Sequence, residues 1–108
     1  MKFIILGRTE VLLDSAKALI ENGHSLMGVI SCRAAVEYSV GEKDYEIFAE
    51  EHGVPFLSTQ KINSQISIDF TLSLGEVDLA LSVNWISVVG SQFIELFPNG
   101  VLNAHGGD

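Results

Sequence analysis

Cysteine is nearly missing from this chain of 108 residues: Cys32 stands alone, so no internal disulfide is available and a reducing compartment fits. Cys32 itself reads as a small buried hydrophobe. Basic residues are scarce too. Lys2, Arg8, Lys17, Arg33, Lys43 and Lys61 are scattered against 14 acidic residues, giving a formal charge of −8. That balance disfavours binding to a phosphate backbone or to an anionic membrane. Long apolar runs are absent as well. Phe3-Ile4-Ile5-Leu6 is far below the roughly 20 residues of a membrane helix and lacks the longer core of a signal peptide. A cytosolic protein follows, with no repeat, linker or low-complexity tract.

What is present suits one globular domain over residues 1–108, because 47% of the residues are hydrophobic and 19% charged. Lys2 to Leu6 reads as a strand buried on both faces and ended by Gly7, with Gly7-Arg8-Thr9 as the turn out of it. From Glu10 to Asn22, Leu12, Leu13, Ala16, Leu19 and Ile20 recur at helical spacing, with Gly23 just past the end. Ser25 to Ile30 is a second strand. Strand, helix and strand in so short a span form a parallel βαβ unit. Ser31 to Lys43 has no clear period and is expected to be a loop. Asp44 to His52 is the next helix, with Tyr45, Phe48, Ala49 and His52 on one face, before a short strand at Val54 to Leu57.

Ile62 to Leu74 alternates apolar and polar residues as a strand would. Yet Ile62, Ile66, Phe70 and Leu74 also fall at i, i+4, Asn63 suits an N-cap and Gly75 a C-cap, and a parallel sheet needs a crossover here. A helix is therefore expected. Asp78 to Val83 is another central strand, Asn84 to Ser87 a turn, Gly90 to Leu96 a short helix, and Val101-Leu102 a last strand. The whole reads as an α/β fold: an open, mostly parallel, Rossmann-like sheet with helices on both faces. Such a sheet rarely stops directly after a strand, so a longer parent sequence is expected.

Ligands of open α/β sheets bind beyond the carboxyl ends of the strands. Gly7 to Thr9, Asn84 to Val89 and Asn103 to Asp108 should meet there. After Gly7 there is no second or third glycine at G-x-G-x-x-G spacing, which counts against a dinucleotide. Arg8 and Thr9 are candidate substrate-binding residues, although Arg8 also suits a solvated surface position. The last segment offers Asn103, His105 and the flexible pair Gly106-Gly107. A histidine exchanges protons near neutral pH and an asparagine donates to a developing oxyanion, so together they suit acyl-type transfer. From spacing alone, His105 equally suits a hydrogen bond that supports its loop.

These residues resemble the N-terminal half of the formyltransferase family. The resemblance is carried by the opening Lys-Phe-Ile-Ile-Leu-Gly, Glu-Asn-Gly-His before Gly-Val-Ile, His-Gly-Val-Pro at 52–55, Val-Asp-Leu-Ala-Leu-Ser-Val at 77–83 and, above all, Asn103-Ala-His105. It implies Asn103 and His105 as catalytic residues and N10-formyltetrahydrofolate as formyl donor. The same resemblance implies a pteridine held by backbone groups around Trp85, Ile86, Ser87, Val88 and Val89, where Trp85 equally suits plain packing. The family's downstream Asp, which orients the His, is expected beyond residue 108, so the isolated chain should be inactive. Gly107 and Asp108 depart from the family's usual Ser and Leu. Family members acting on tRNA carry a basic loop after the second strand. Ser31 to Lys43 is near neutral here, which favours a small-molecule amine, such as an amino sugar, over tRNA as acceptor.

Overall fold

A computed structural model describes residues 1–7, 9–31, 42–59, 61–83 and 90–104, with Val83, Asn103 and Ala104 described in their backbone only. Strands and helices alternate along it: β1 (Lys2–Gly7), α1 (Glu10–Glu21), β2 (Ser25–Ser31), α2 (Glu42–Glu51), β3 (Phe56–Ser58), α3 (Gln65–Ser73), β4 (Leu79–Val83), α4 (Ser91–Ile94) and β5 (Val101–Ala104). The five strands form one sheet in the order β3-β2-β1-β4-β5, and every pairing is parallel.

The pleat of β1 explains the two layers. Phe3 and Ile5 point into a cluster with Leu12 and Ala16 of α1 and with Tyr45, Phe48 and Ala49 of α2. Ile4 and Leu6 point the other way, into a cluster with Ile62, Ala80, Phe93 and Phe97, against which Phe70 of α3 and Leu74, the C-cap of that helix, pack. Alternate residues of one strand thus serve opposite cores, which is why β1 is apolar without a break. Each fully buried Ile or Leu contributes about 1.5–3 kcal/mol relative to exposure. Gly28 of β2 permits the approach of α3, since a Cβ there would lie 2.8 Å from Leu74 Cδ1.

Several expected boundaries move. Ser31 belongs to β2, and Glu42 and Lys43 belong to α2, so both ends of the loop expected from Ser31 to Lys43 are regular structure; residues 32–41 lie outside the described residues. α3 begins later than the alternation suggested and is capped by Ser64, not Asn63. Ile62, fully buried, lies outside this helix and anchors the turn before it. β3 starts only after Pro55, which has no N–H to donate but whose carbonyl accepts from Val29 N at 3.0 Å. β5 extends to Ala104, so Asn103 stands within the strand in its backbone. Among the described residues no helix is long and apolar enough to cross a membrane.

Candidate functional site

From β1 the chain runs outward through β2 to β3, then returns by α3 to place β4 on the other side of β1. In such sheets a reversal of strand order marks the crevice where ligands usually bind, and here it falls between the carboxyl ends of β1 and β4. Gly7 is the register partner of Val83, and Val83 is in turn the partner of Ala104. The strand ends that lead into the Gly7–Thr9 turn, the 84–89 segment and the Asn103–Asp108 segment are therefore contiguous: β1, β4, β5.

Side-chain hydroxyls hold the first of these segments from below. Ser31 Oγ, fully buried at the end of β2, donates to Gly7 O at 2.7 Å. The hydroxyl of Tyr45, on α2, accepts from Thr9 N at 2.9 Å and donates to Thr9 O at 2.6 Å. Thr9 is also the N-cap of α1, its Oγ1 accepting from Leu12 N at 3.4 Å. Its polar groups are thus spent on local structure, which makes it part of the wall of the crevice. Arg8 lies outside the described residues.

The segment that leaves β4 is fixed where it re-enters described structure. Gly90, the N-cap of α4, donates its amide to Asn63 Oδ1 at 2.6 Å. Its φ of −77° suits any residue, so torsion does not call for glycine here. A Cβ at Gly90 would stand 2.8 Å from Asn63 Oδ1, so an alanine there would make the Asn63 side chain shift and strain its bond to the Gly90 amide. Residues 84–89, which include Trp85, Ile86, Ser87, Val88 and Val89, lie outside the described residues, as does His105. Asn103 is placed by its backbone, as the register partner of Ser82.

Among the described residues, the sequence reading missed Tyr45, Ser31, Asn63 and Ser82. Tyr45 counted only as an apolar face and Asn63 only as a cap, because hydroxyl and amide partners across the fold leave no local trace. Ser82 did leave a signal, a lone polar residue in the otherwise apolar run Leu79-Ala80-Leu81-Ser82-Val83. No group of three or more His, Cys, Asp or Glu among the described residues is placed to hold a metal ion. On α2, the Lys43 ammonium is held above its ordinary pKa by a hydrogen bond to Glu46 at 3.0 Å, an exposed pair.

An open, all-parallel sheet covered on both faces defines a Rossmann-like α/β protein. Over nearly its whole length the chain is similar to methionyl-tRNA formyltransferases. That of Thermotoga sp. (strain RQ2) is 26% identical over 109 residues, 97% of this chain and 34% of the relative. Those of Bacillus cytotoxicus and Ruminiclostridium cellulolyticum are likewise 26% identical, over 97% and 98% of this chain and 34% and 35% of the relatives. The chain thus spans about a third of the length of the curated relatives it matches, and the resemblance to the formyltransferase family is borne out over that part. No family model matches the chain.

Proposed function

We propose that this chain is the donor-binding part of an N-formyltransferase, which takes a formyl group from N10-formyltetrahydrofolate and passes it to the amine of methionyl-tRNA. The observation that carries the reading is the similarity to methionyl-tRNA formyltransferases over 97% of the chain, in which Asn103 and Ala104 close β5 and His105 comes next in the sequence. The preference for a small-molecule amine gives way. It rested on the charge of residues 31–43, whereas the relatives named above are named for methionyl-tRNA. The formal charge of −8 still opposes contact with a phosphate backbone. The part of the acceptor that this chain would meet is therefore the aminoacyl end.

Two observations among the described residues support a donor site. The crevice is expected at the reversal of strand order, and the Ser82 hydroxyl, buried near the carboxyl end of β4, has no hydrogen-bond partner among the described residues. The donor supplies the electrophilic formyl carbon. Backbone groups of Trp85, Ile86, Ser87, Val88 and Val89 would hold its pteridine, and Arg8 and Thr9 would border the acceptor. Asn103 would donate to the formyl oxygen as negative charge develops there, and protonated His105 would do the same from the other side, so that charge forms among donors already in place.

Calorimetry with 5-formyltetrahydrofolate tests the donor site, and release of tetrahydrofolate in the presence of methionyl-tRNA tests transfer. The absence of both heat and a melting shift at millimolar folate would end the reading. NAD(P) protecting the protein against heat in place of the folate would replace it by nucleotide binding.

A further inference from the structure

Ser31, Ser67, Thr71 and Ser82 are buried polar residues. The first three are satisfied: Ser31 Oγ by Gly7 O at 2.7 Å, Ser67 Oγ by Lys61 O at 3.1 Å, and Thr71 Oγ1 by Ser67 O at 2.9 Å. Ser82 Oγ, fully enclosed, has no hydrogen-bond partner among the described residues. Most buried polar side chains have one, and a hydroxyl without it is destabilising. Alanine, as at position 80 on the same face of β4, would serve the ligand-free fold better.

Its place in the sheet narrows what needs it. Ser82 lies one residue before the end of β4, and its register partners are Leu6 on one side and Asn103 on the other. Leu6 has only methyl groups to present. Asn103 is the polar neighbour and the candidate oxyanion donor. Because Ser82 is fully buried, its hydroxyl acts on a ligand only through another residue.

We propose that Ser82 is a positioning residue, whose hydroxyl donates to Asn103 Oδ1 when a formyl donor is bound. An amide has one accepting and one donating end. Engaging Oδ1 leaves Nδ2 to donate to the formyl oxygen, so this bond selects the productive orientation of the carboxamide. The inference rests on the role given to Asn103 above and adds the residue that sets its direction.

The test compares binding of 10-formyltetrahydrofolate with that of tetrahydrofolate, its formyl-free counterpart, by calorimetry under reductant, alongside thermal melting. Ser82→Ala should melt at or above the wild-type temperature, since it removes an unsatisfied group. It should bind tetrahydrofolate as wild type does and lose roughly two- to tenfold of the preference for the formylated folate, the worth of one hydrogen bond. Ser82→Thr, which keeps the hydroxyl, should retain that preference, and in an Asn103→Ala background Ser82→Ala should change nothing further. A wild-type preference in Ser82→Ala overturns the proposal alone. So does equal weakening of both folates with a lowered melting temperature, which marks a packing role. So does a wild-type chain that binds both folates alike, whereas a wild-type chain that binds neither overturns the donor reading and this proposal with it.

Discussion

The hydroxyl of Tyr45 is bonded to both polar backbone groups of Thr9, accepting from its amide at 2.9 Å and donating to its carbonyl at 2.6 Å. α2 thereby fixes the turn between β1 and α1, the nearer wall of the crevice. Because the ring is fully buried among apolar residues, Tyr45→Phe removes the hydroxyl while leaving the packing. The variant should lose about 1–3 kcal/mol of stability, the usual cost of stranding such groups. Urea denaturation with an unchanged m-value measures it, and a wild-type midpoint would show that the clamp contributes nothing.

Gly90 and Asn63 make a second testable pair. Gly90→Ala should be destabilising in the wild type, because its Cβ would stand 2.8 Å from Asn63 Oδ1. In an Asn63→Ala background that clash is gone and only the lower preference for Ala at an N-cap remains. A double-mutant cycle in urea should therefore return a coupling of about 0.5–3 kcal/mol. Additive effects would mean that glycine stands at position 90 for another reason.

The candidate catalytic residues separate chemistry from binding. In the form of the protein that turns over, His105→Ala should lower kcat by about 10² to 10⁴, the usual worth of a positioned acid or base. Asn103→Ala should lose about 2.7–4 kcal/mol of transition-state stabilisation if it is an oxyanion donor. Donor affinity should stay within a few fold in His105→Ala and within about tenfold in Asn103→Ala, the worth of one ground-state hydrogen bond. Release of tetrahydrofolate is the measurement, and a His105→Ala protein at normal rate removes the assignment.

Charge sets the last expectation. With 14 acidic residues against 6 basic ones, this chain has little to offer a phosphate backbone. The affinity of the isolated 108-residue chain for methionyl-tRNA should then fall only slightly with salt, with a slope of log K against log salt below about 2 in magnitude, equivalent to fewer than about three phosphates. A steep slope in a binding titration would place the tRNA backbone on this surface.

Local pattern was sufficient for the elements and for the sheet type. The unbroken apolar run of β1, the helical spacing of Leu12, Leu13, Ala16, Leu19 and Ile20, and the regular alternation of strand with helix leave few alternatives to a parallel sheet, because each signal repeats within one or two turns of chain. Asn103-Ala-His105 likewise stood out as a candidate, since its residues lie within three positions of one another, the first two of them closing β5. Position 62–74 shows the limit. Its period-two alternation pointed to a strand, and the need for a crossover decided correctly for a helix, although its start and its cap at Ser64 followed from packing. Burying Ile62 outside the helix fixes that boundary, and no local rule weighs it.

What tertiary structure alone decided is which distant polar groups meet. Tyr45 reaches Thr9 across 36 positions, Asn63 reaches Gly90 across 27, and Ser82 lies in register with Asn103 across two strands whose alignment is set by the sheet. A hydroxyl's partner depends on direction and distance within a few tenths of an ångström, whereas burial of an apolar side chain needs only the right face. The sequence therefore determined the layers and the end of the sheet where the crevice opens, through the non-directional hydrophobic pattern. The directional bonds that brace the crevice, and the buried Ser82 hydroxyl left without a partner among the described residues, were decided only when the chain had folded.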